Sequence, residues 1–147
     1  MNFWHNGILT RDIDKTIDFL CAASDAPREK WSVMEIDFPQ SNMANGDGGK
    51  LRAAFGRVGG VVTELLQPLD DKSYHAKALK LRGPGFHHIA YICDDDEQKE
   101  ALTSIVSEGG RIVWEFRNGS ERACYVEAGG GNAVLELINN CPFMPEE

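Results

Sequence analysis

A short pattern occurs twice in this chain and limits what it can fold into. His5-Asn6-Gly7-Ile8-Leu9 is followed by Asp14, and His88-Ile89-Ala90-Tyr91-Ile92 by Asp94-Asp95-Asp96. Each copy is followed, further on, by an aliphatic segment of strand composition with one glutamate: Glu64 in Val61-Val62-Thr63-Glu64-Leu65-Leu66, and Glu136 in Ala133-Val134-Leu135-Glu136-Leu137-Ile138. The histidines are 83 residues apart and the glutamates 72; the difference of 11 is about the size of the Asn-, Gly- and Ser-rich stretch from Pro39 to Gly49. The copies therefore register once a loop insertion is allowed there. Divergent tandem repeats of this kind bury a continuous core by pairing with each other. That pairing would bring His5, Glu64, His88 and Glu136 together as one metal site at a pseudo-twofold axis.

The rest of the chain fits two such copies. Residues 3–9 read as a strand, followed by a helix capped by Thr10 or Asp12, with Ile13, Ile17, Phe19 and Leu20 at near-helical spacing and an end by Ala26-Pro27. From Trp31 to Phe38 the pattern alternates, Met34, Ile36 and Phe38 sharing one face, as in a half-buried strand. Pro39 to Gly49 has the composition of an irregular loop. Lys50 to Val58 and Val61 to Gln67, joined at Gly59-Gly60, read as a hairpin. A short helix ending at Leu81 and stopped by Gly83-Pro84-Gly85 leads to the second copy: a strand at 86–93, a helix at 95–108, and strands at 111–117, 122–127 and 133–138. Asn118-Gly119 and Gly129-Gly130-Gly131 supply its turns. The expected organisation is one domain of two βαβββ pseudo-repeats, 3–67 and 85–139, joined by 68–84.

The glutamates are the stronger candidates taken singly. A carboxylate among aliphatic strand neighbours is expensive to desolvate unless it is paired or bound to a cation. Each histidine alone is an ordinary residue, and recurrence of both types in one order gives them weight. His87-His88 requires a choice, because adjacent strand residues face opposite ways. His88 registers with His5, so His87 is expected on the other face.

Composition excludes several classes of function. With 147 residues, 42% of them hydrophobic, the chain has the size and balance of one globular domain, and no apolar run is long enough to cross a bilayer. A net charge of −8 argues against nucleic acid, whose phosphates call for clustered Lys and Arg. The start, Met1-Asn2-Phe3-Trp4-His5, lacks the basic and apolar regions of a signal peptide, so a cytoplasmic location is the default. Cys21, Cys93, Cys124 and Cys141 show no metal-binding spacing and read as reduced thiols. Asp94-Asp95-Asp96 reads as a helix N-terminal cluster, His75 as a solvated helix residue, and Lys50, Arg52, Arg57, Arg117 and Arg122 as surface charge. The Gly129-Gly130-Gly131 run precedes a strand, whereas a dinucleotide fingerprint opens a helix.

On these residues the chain resembles the vicinal oxygen chelate (glyoxalase/bleomycin resistance) superfamily, over roughly Phe3 to Asn139. Glu64-Leu65-Leu66-Gln67-Pro68-Leu69, Gly85-Phe86-His87-His88-Ile89-Ala90 and Val134-Leu135-Glu136-Leu137 are most similar to methylmalonyl-CoA epimerase and its relatives. The resemblance implies an α+β fold, two tandem βαβββ modules forming a mixed-sheet open barrel around a metal site. It places the metal ligands on His5, Glu64, His88 and Glu136 and implies a homodimer; such modules complete a site within one chain or across a dimer, and because both halves are present in this chain an intrachain site is expected. In one respect the chain departs from the epimerase pattern: a glutamate expected after the proline of the second-strand loop is Gln40 here, and glutamine cannot transfer a proton.

Mixed imidazole and carboxylate ligation suits a divalent ion such as Zn, Co, Ni, Mn or Fe(II), and leaves about two octahedral positions for substrate oxygens or water. Such an ion lowers the pKa of a C–H next to a carbonyl. The expected activity is epimerisation or isomerisation of an acyl-CoA or similar carbonyl compound, with Glu64 or Glu136 as the catalytic base. A glyoxalase I-type lyase acting on a thiohemiacetal would need the same site. Ring-cleaving dioxygenation fits less well, because it uses three ligands and more open positions. A non-catalytic drug- or metabolite-binding protein of the bleomycin-resistance type is the rival outside enzymology.

Overall fold

The computed structural model describes residues 1–24, 26–129 and 133–139. In chain order the elements are β1 (Asn2–Leu9), α1 (Ile13–Ala23), β2 (Ser32–Phe38), β3 (Met43–Asn45), β4 (Gly49–Val58), β5 (Val61–Pro68), α2 (Tyr74–Arg82), β6 (Gly85–Ile92), α3 (Asp95–Ser107), β7 (Arg111–Asn118), β8 (Glu121–Glu127) and β9 (Val134–Ile138). All the strands join one mixed sheet in the order β2-β4-β5-β1-β6-β9-β8-β7-β3. The order is close to a palindrome about its middle: β1 and β6 pair antiparallel there, β5 runs parallel to β1, and β9 runs parallel to β6.

The connection between the two edges shows that the sheet must curl. Nine strands laid flat would put their edges about 38 Å apart at a spacing of about 4.8 Å. Edge strand β2 ends at Phe38 and the opposite edge strand β3 begins at Met43, a stretch that reaches no more than about 18 Å. The sheet therefore rolls into an open barrel, and Phe38 packs 5.0 Å, centre to centre, from both Trp114 and Phe116 of β7 across the seam. Pro39 to Gly49, expected to be irregular, contains a 3₁₀ turn at Gln40–Asn42 as well as β3, which pairs with β7. The side-chain amides of Asn42 and Asn45 donate to the carbonyls of Arg117 and Ile112 and hold this strap down.

Alternation along the strands sorts the core. Leu51, Ala53, Phe55, Val62, Leu66, Ala123, Tyr125, Val134 and Ile138 face into the cup. Ala54, Leu65, Cys124, Val126 and Leu137 face outward. The helices α1, through Ile13 and Ile17, and α3, through Leu102, cover that outer surface, whereas α2 packs Ala78, Tyr74 and Leu79 against the inner one. Asp12 caps α1 by accepting from the Lys15 amide, and Asp94 with Glu97 forms a capping box on α3. Phe19, counted among the periodic residues of α1, is 70% exposed. Cys93 and Cys124 are buried free thiols and Cys21 is partly buried; Cys141 and the Gly130-Gly131 part of the expected turn lie outside the described residues. None of the described helices is long and apolar enough to cross a membrane.

Because Phe38 bridges the seam, Phe38→Ala should destabilise the protein by about 2–3 kcal/mol, below the cost for a fully buried ring because this one is half-buried. Urea unfolding would measure it, and a loss under about 0.5 kcal/mol would contradict the packing argument.

Candidate metal centre

The four candidate ligands lie on the four central strands: Glu64 on β5, His5 on β1, His88 on β6 and Glu136 on β9. Strand register explains how they meet. Gly7 of β1 is the partner of both Glu64 and His88, and Ala90 of β6 is the partner of both His5 and Glu136. Each glutamate thus looks across a residue with little or no side chain to the histidine of the other half. His5 Nε2 lies 3.1 Å from Glu64 Oε2 and 3.4 Å from Glu136 Oε2, and His88 Nε2 lies 3.4 and 3.3 Å from the same two atoms. The two imidazole nitrogens are 3.1 Å apart.

Two bulges aim the histidines. The β1–β6 register skips Trp4 on one strand and His87 on the other, so each ligand histidine is preceded by an unpaired residue. A bulge interrupts strict alternation and re-aims side chains, so Trp4 and His87 enter the cup together with His5 and His88. Trp4 stacks on Phe55 and His87 meets Tyr125 edge-on. The expectation that His87 faces the other side is therefore corrected: alternation does not hold at the bulged position. The close fit also explains Gly7, where an added Cβ would lie 2.0 Å from His88 Cε1. Neither Gly7 nor Ala90 was singled out in the sequence, although a small residue two positions after each ligand histidine was a usable signal.

His75, expected to be solvated, is 1% exposed. The position of α2 over the cup sets its ring against Trp114 and its Nε2 2.9 Å from the Tyr125 hydroxyl. Burial lowers its pKa to about 4, so it is neutral. Gln40 is exposed and serves its own loop: its side-chain oxygen accepts from the Gly48 amide at 3.0 Å, and its side-chain nitrogen reaches the Gly46 carbonyl. Among the charged side chains read as surface, Arg117 and Arg122 neutralise the buried Glu115, and Arg52 pairs with Asp14.

The family model of the Glyoxalase/Bleomycin resistance protein/Dioxygenase superfamily matches residues 4–126. The chain belongs to that superfamily. Solved structures similar to it over nearly its whole length include a hypothetical protein from Bacillus halodurans C-125, 21% identical, with a TM-score of 0.64 and coverage of 99% of this chain and 98% of the other. Methylmalonyl-CoA epimerase from Mycobacterium tuberculosis is 23% identical with a TM-score of 0.63, covering 96% and 89%. A variant of Streptomyces coelicolor methylmalonyl-CoA epimerase in complex with 2-nitronate-propionyl-CoA is 24% identical with a TM-score of 0.58, covering 95% and 96%. At such identities these likenesses speak for the fold. A stretch of 55 residues is 40% identical to the uncharacterised protein YqjC of Bacillus subtilis (strain 168), covering 37% of this chain and 39% of that relative.

In this superfamily member the four residues could hold a metal ion: one ligand atom from each lies within 4.8 Å of all the others. Two observations bear on the fit. Glu136 Oε2 is buried and makes no well-formed hydrogen bond, though it points at both imidazoles. The charges also match. Burial opposes the charged form of His5, but Glu64 and Glu136 outweigh it and raise its pKa to about 9; His88 is raised in the same way. Burial likewise opposes ionised Glu64 and Glu136, yet the two histidines hold both below the usual carboxylate value. Without metal the carboxylates favour protonated imidazoles and the histidines favour ionised carboxylates, so the charges tend to balance within the cluster. A divalent cation would replace two protons without changing the buried charge.

Two predictions follow from this geometry. Gly7→Ala should push the His88 ring aside and weaken Zn²⁺ affinity by at least about tenfold. The mirror change Ala90→Gly, which only removes a Cβ, should leave affinity nearly unchanged; competition titration against a chromophoric chelator compares them. The second concerns pH. A histidine whose folded pKa lies above its unfolded 6.5 stabilises fully below 6.5 and loses that contribution as pH rises through the folded value of about 9. Carboxylates held below 4.5 stabilise above that value and lose the contribution as pH falls through their lowered folded pKa. With chelator present, the gap in melting temperature between wild type and His5→Asn should be widest between pH 4.5 and 6.5 and narrow towards pH 9. A gap that widens above pH 7 would refute the charge assignment.

Proposed function

We propose that this chain is a metal-dependent epimerase or isomerase that removes a proton next to a carbonyl, with an acyl-CoA thioester as the favoured substrate class. The observation that carries the reading is the convergence of two buried carboxylates and two imidazoles on the floor of a barrel lined with aromatic rings. In this reading His5, Glu64, His88 and Glu136 hold the ion, which when bound supplies Lewis acidity towards the substrate's carbonyl oxygens.

The chain's own residues then do the proton chemistry. Glu64 on β5 and Glu136 on β9 enter from opposite sides of the central β1–β6 pair, as a reaction that removes a proton on one face and returns it on the other requires. Either can double as ligand and base. Gln40 takes no part, being tied into its own loop, so the two glutamates carry the acid and base roles between them. Trp114, Phe38 and Phe116 form an apolar wall inside the cup, which would limit water around a substrate bound there. The similarity to epimerases, one of them in complex with methylmalonyl-CoA, supports the acyl-CoA choice. The same reading takes the chain as a single domain of two pseudo-repeats, acting as a cytoplasmic homodimer.

Elemental analysis followed by deuterium exchange from solvent into 2-methyl-branched acyl-CoA thioesters and other carbonyl compounds tests the proposal. Wild type should bind a divalent ion and label the carbon next to the carbonyl. Glu64→Gln and Glu136→Gln should each slow labelling by about 10²-fold or more. Conversion of a thiohemiacetal in place of exchange would favour the lyase reading. Exchange into none of the compounds would sink proton abstraction, and ligand binding left intact by His88→Ala in a metal-free protein would favour the non-catalytic binder.

A further inference from the structure

We infer that His87 is a positioning residue for His88, fixing its ring and tautomer through a hydrogen-bonded chain that ends on the helix joining the two halves. The inference rests on the metal-site reading above and adds a residue to it. His87 Nδ1 lies 2.8 Å from His88 Nδ1, and His87 Nε2 lies 3.1 Å from the Tyr74 hydroxyl of α2. His88 Nε2 is the atom turned towards His5, Glu64 and Glu136.

Proton accounting leaves one arrangement that is competent for metal. A nitrogen that ligates must offer its lone pair, so His88 carries its proton on Nδ1. Two nitrogens 2.8 Å apart share one proton, and His88 Nδ1–H therefore donates to His87 Nδ1. His87, accepting there, carries its own proton on Nε2 and donates it to the Tyr74 hydroxyl oxygen. The reverse arrangement would leave a hydrogen on His88 Nε2, pointing into the cluster and blocking ligation. A second imidazole thus takes the place that a carboxylate or carbonyl occupies behind many metal-bound histidines, where such partners fix ring orientation and strengthen the donor nitrogen.

The other half has no counterpart. Trp4 occupies the equivalent bulge, and His5 Nδ1 has no hydrogen-bond partner among the described residues. Of the two imidazoles, His88 is thus the one oriented from behind. The bulge that carries His87 into the cup is what makes this contact possible.

The test compares Zn²⁺ affinity, by competition with a chromophoric chelator, in wild type, His87→Phe and His87→Asn. Phe keeps a ring and removes the acceptor; Asn restores an acceptor oxygen near the Nδ1 position. His87→Phe should bind Zn²⁺ about 10- to 100-fold more weakly, with most of the loss recovered in His87→Asn. Tyr74→Phe should fall between wild type and His87→Phe. Nitrogen NMR of the histidine side chains in Zn²⁺-loaded wild type should show His88 protonated on Nδ1 and His87 on Nε2. A folded His87→Phe that binds as tightly as wild type, or a His87 ring protonated on Nδ1, would overturn the inference and leave the metal reading standing. Wild type that takes up no Zn²⁺ would overturn both. Should His87→Phe fail to fold, the tautomers of wild type decide.

Discussion

Everything in this molecule depends on the antiparallel pairing of β1 with β6. That pair carries both histidines, sets Gly7 and Ala90 between the histidines and the glutamates, and is the axis about which the other strands are laid out in mirrored order. A slip of one residue would turn an entire face outward. The two bulges give up regular pairing at Trp4 and His87, and the side chains so released recover packing in the cup: Trp4 on Phe55, and His87 on Tyr125 and Tyr74. With the histidines aimed by the bulges, the parallel partners β5 and β9 have only to bring a glutamate to the level of Gly7 and of Ala90.

The electrostatics say what such a cluster is for. Moving charged groups out of water costs several kcal/mol per ion, and a buried ion pair often does no better than well-packed apolar residues of the same volume. Four ionisable groups at the bottom of a barrel are thus a poor means of stabilising it. The surrounding core of Trp114, Phe55, Leu51 and Leu66 shows that the fold can fill such space with apolar side chains. A cluster that brings no clear gain in stability and has the charge balance to exchange two protons for one divalent ion is understandable as a binding site.

Much of this was legible in the residues. Glu64 and Glu136 stand out because a carboxylate in an aliphatic strand needs a partner, and the registered repeat picks out His5 and His88. The βαβββ order could be read because long alternating or periodic segments and glycine turns are local signals. What was missed depends on contacts made far along the chain. The three residues of β3 are too few to show a period, and they are a strand only because β7 lies beside them. His75 is buried because its helix crosses the cup and meets Tyr125 and Trp114. His87 was misplaced because a bulge is a property of a pair of strands, and nothing in His87-His88 alone announces one.

The symmetry of the ligands stops at the ligands. Cross-strand pairing sets Phe55 against Glu64 and Tyr125 against Glu136. Trp4 and His87 differ in the same sense, apolar in the first half and hydrogen-bonding in the second. The two glutamates are therefore alike in their distances to the histidines and unlike in their surroundings. Glu64 sits against a ring that can only exclude water. Glu136 sits beside a phenol that hydrogen-bonds His75 and is bound through it to α2. Two carboxylates in different environments separate in proton affinity, and a pair that differs can divide the roles of acid and base. The repeated half-site brings the four candidate ligands together, and the differing residues around them would let the two glutamates take different parts in the proposed reaction.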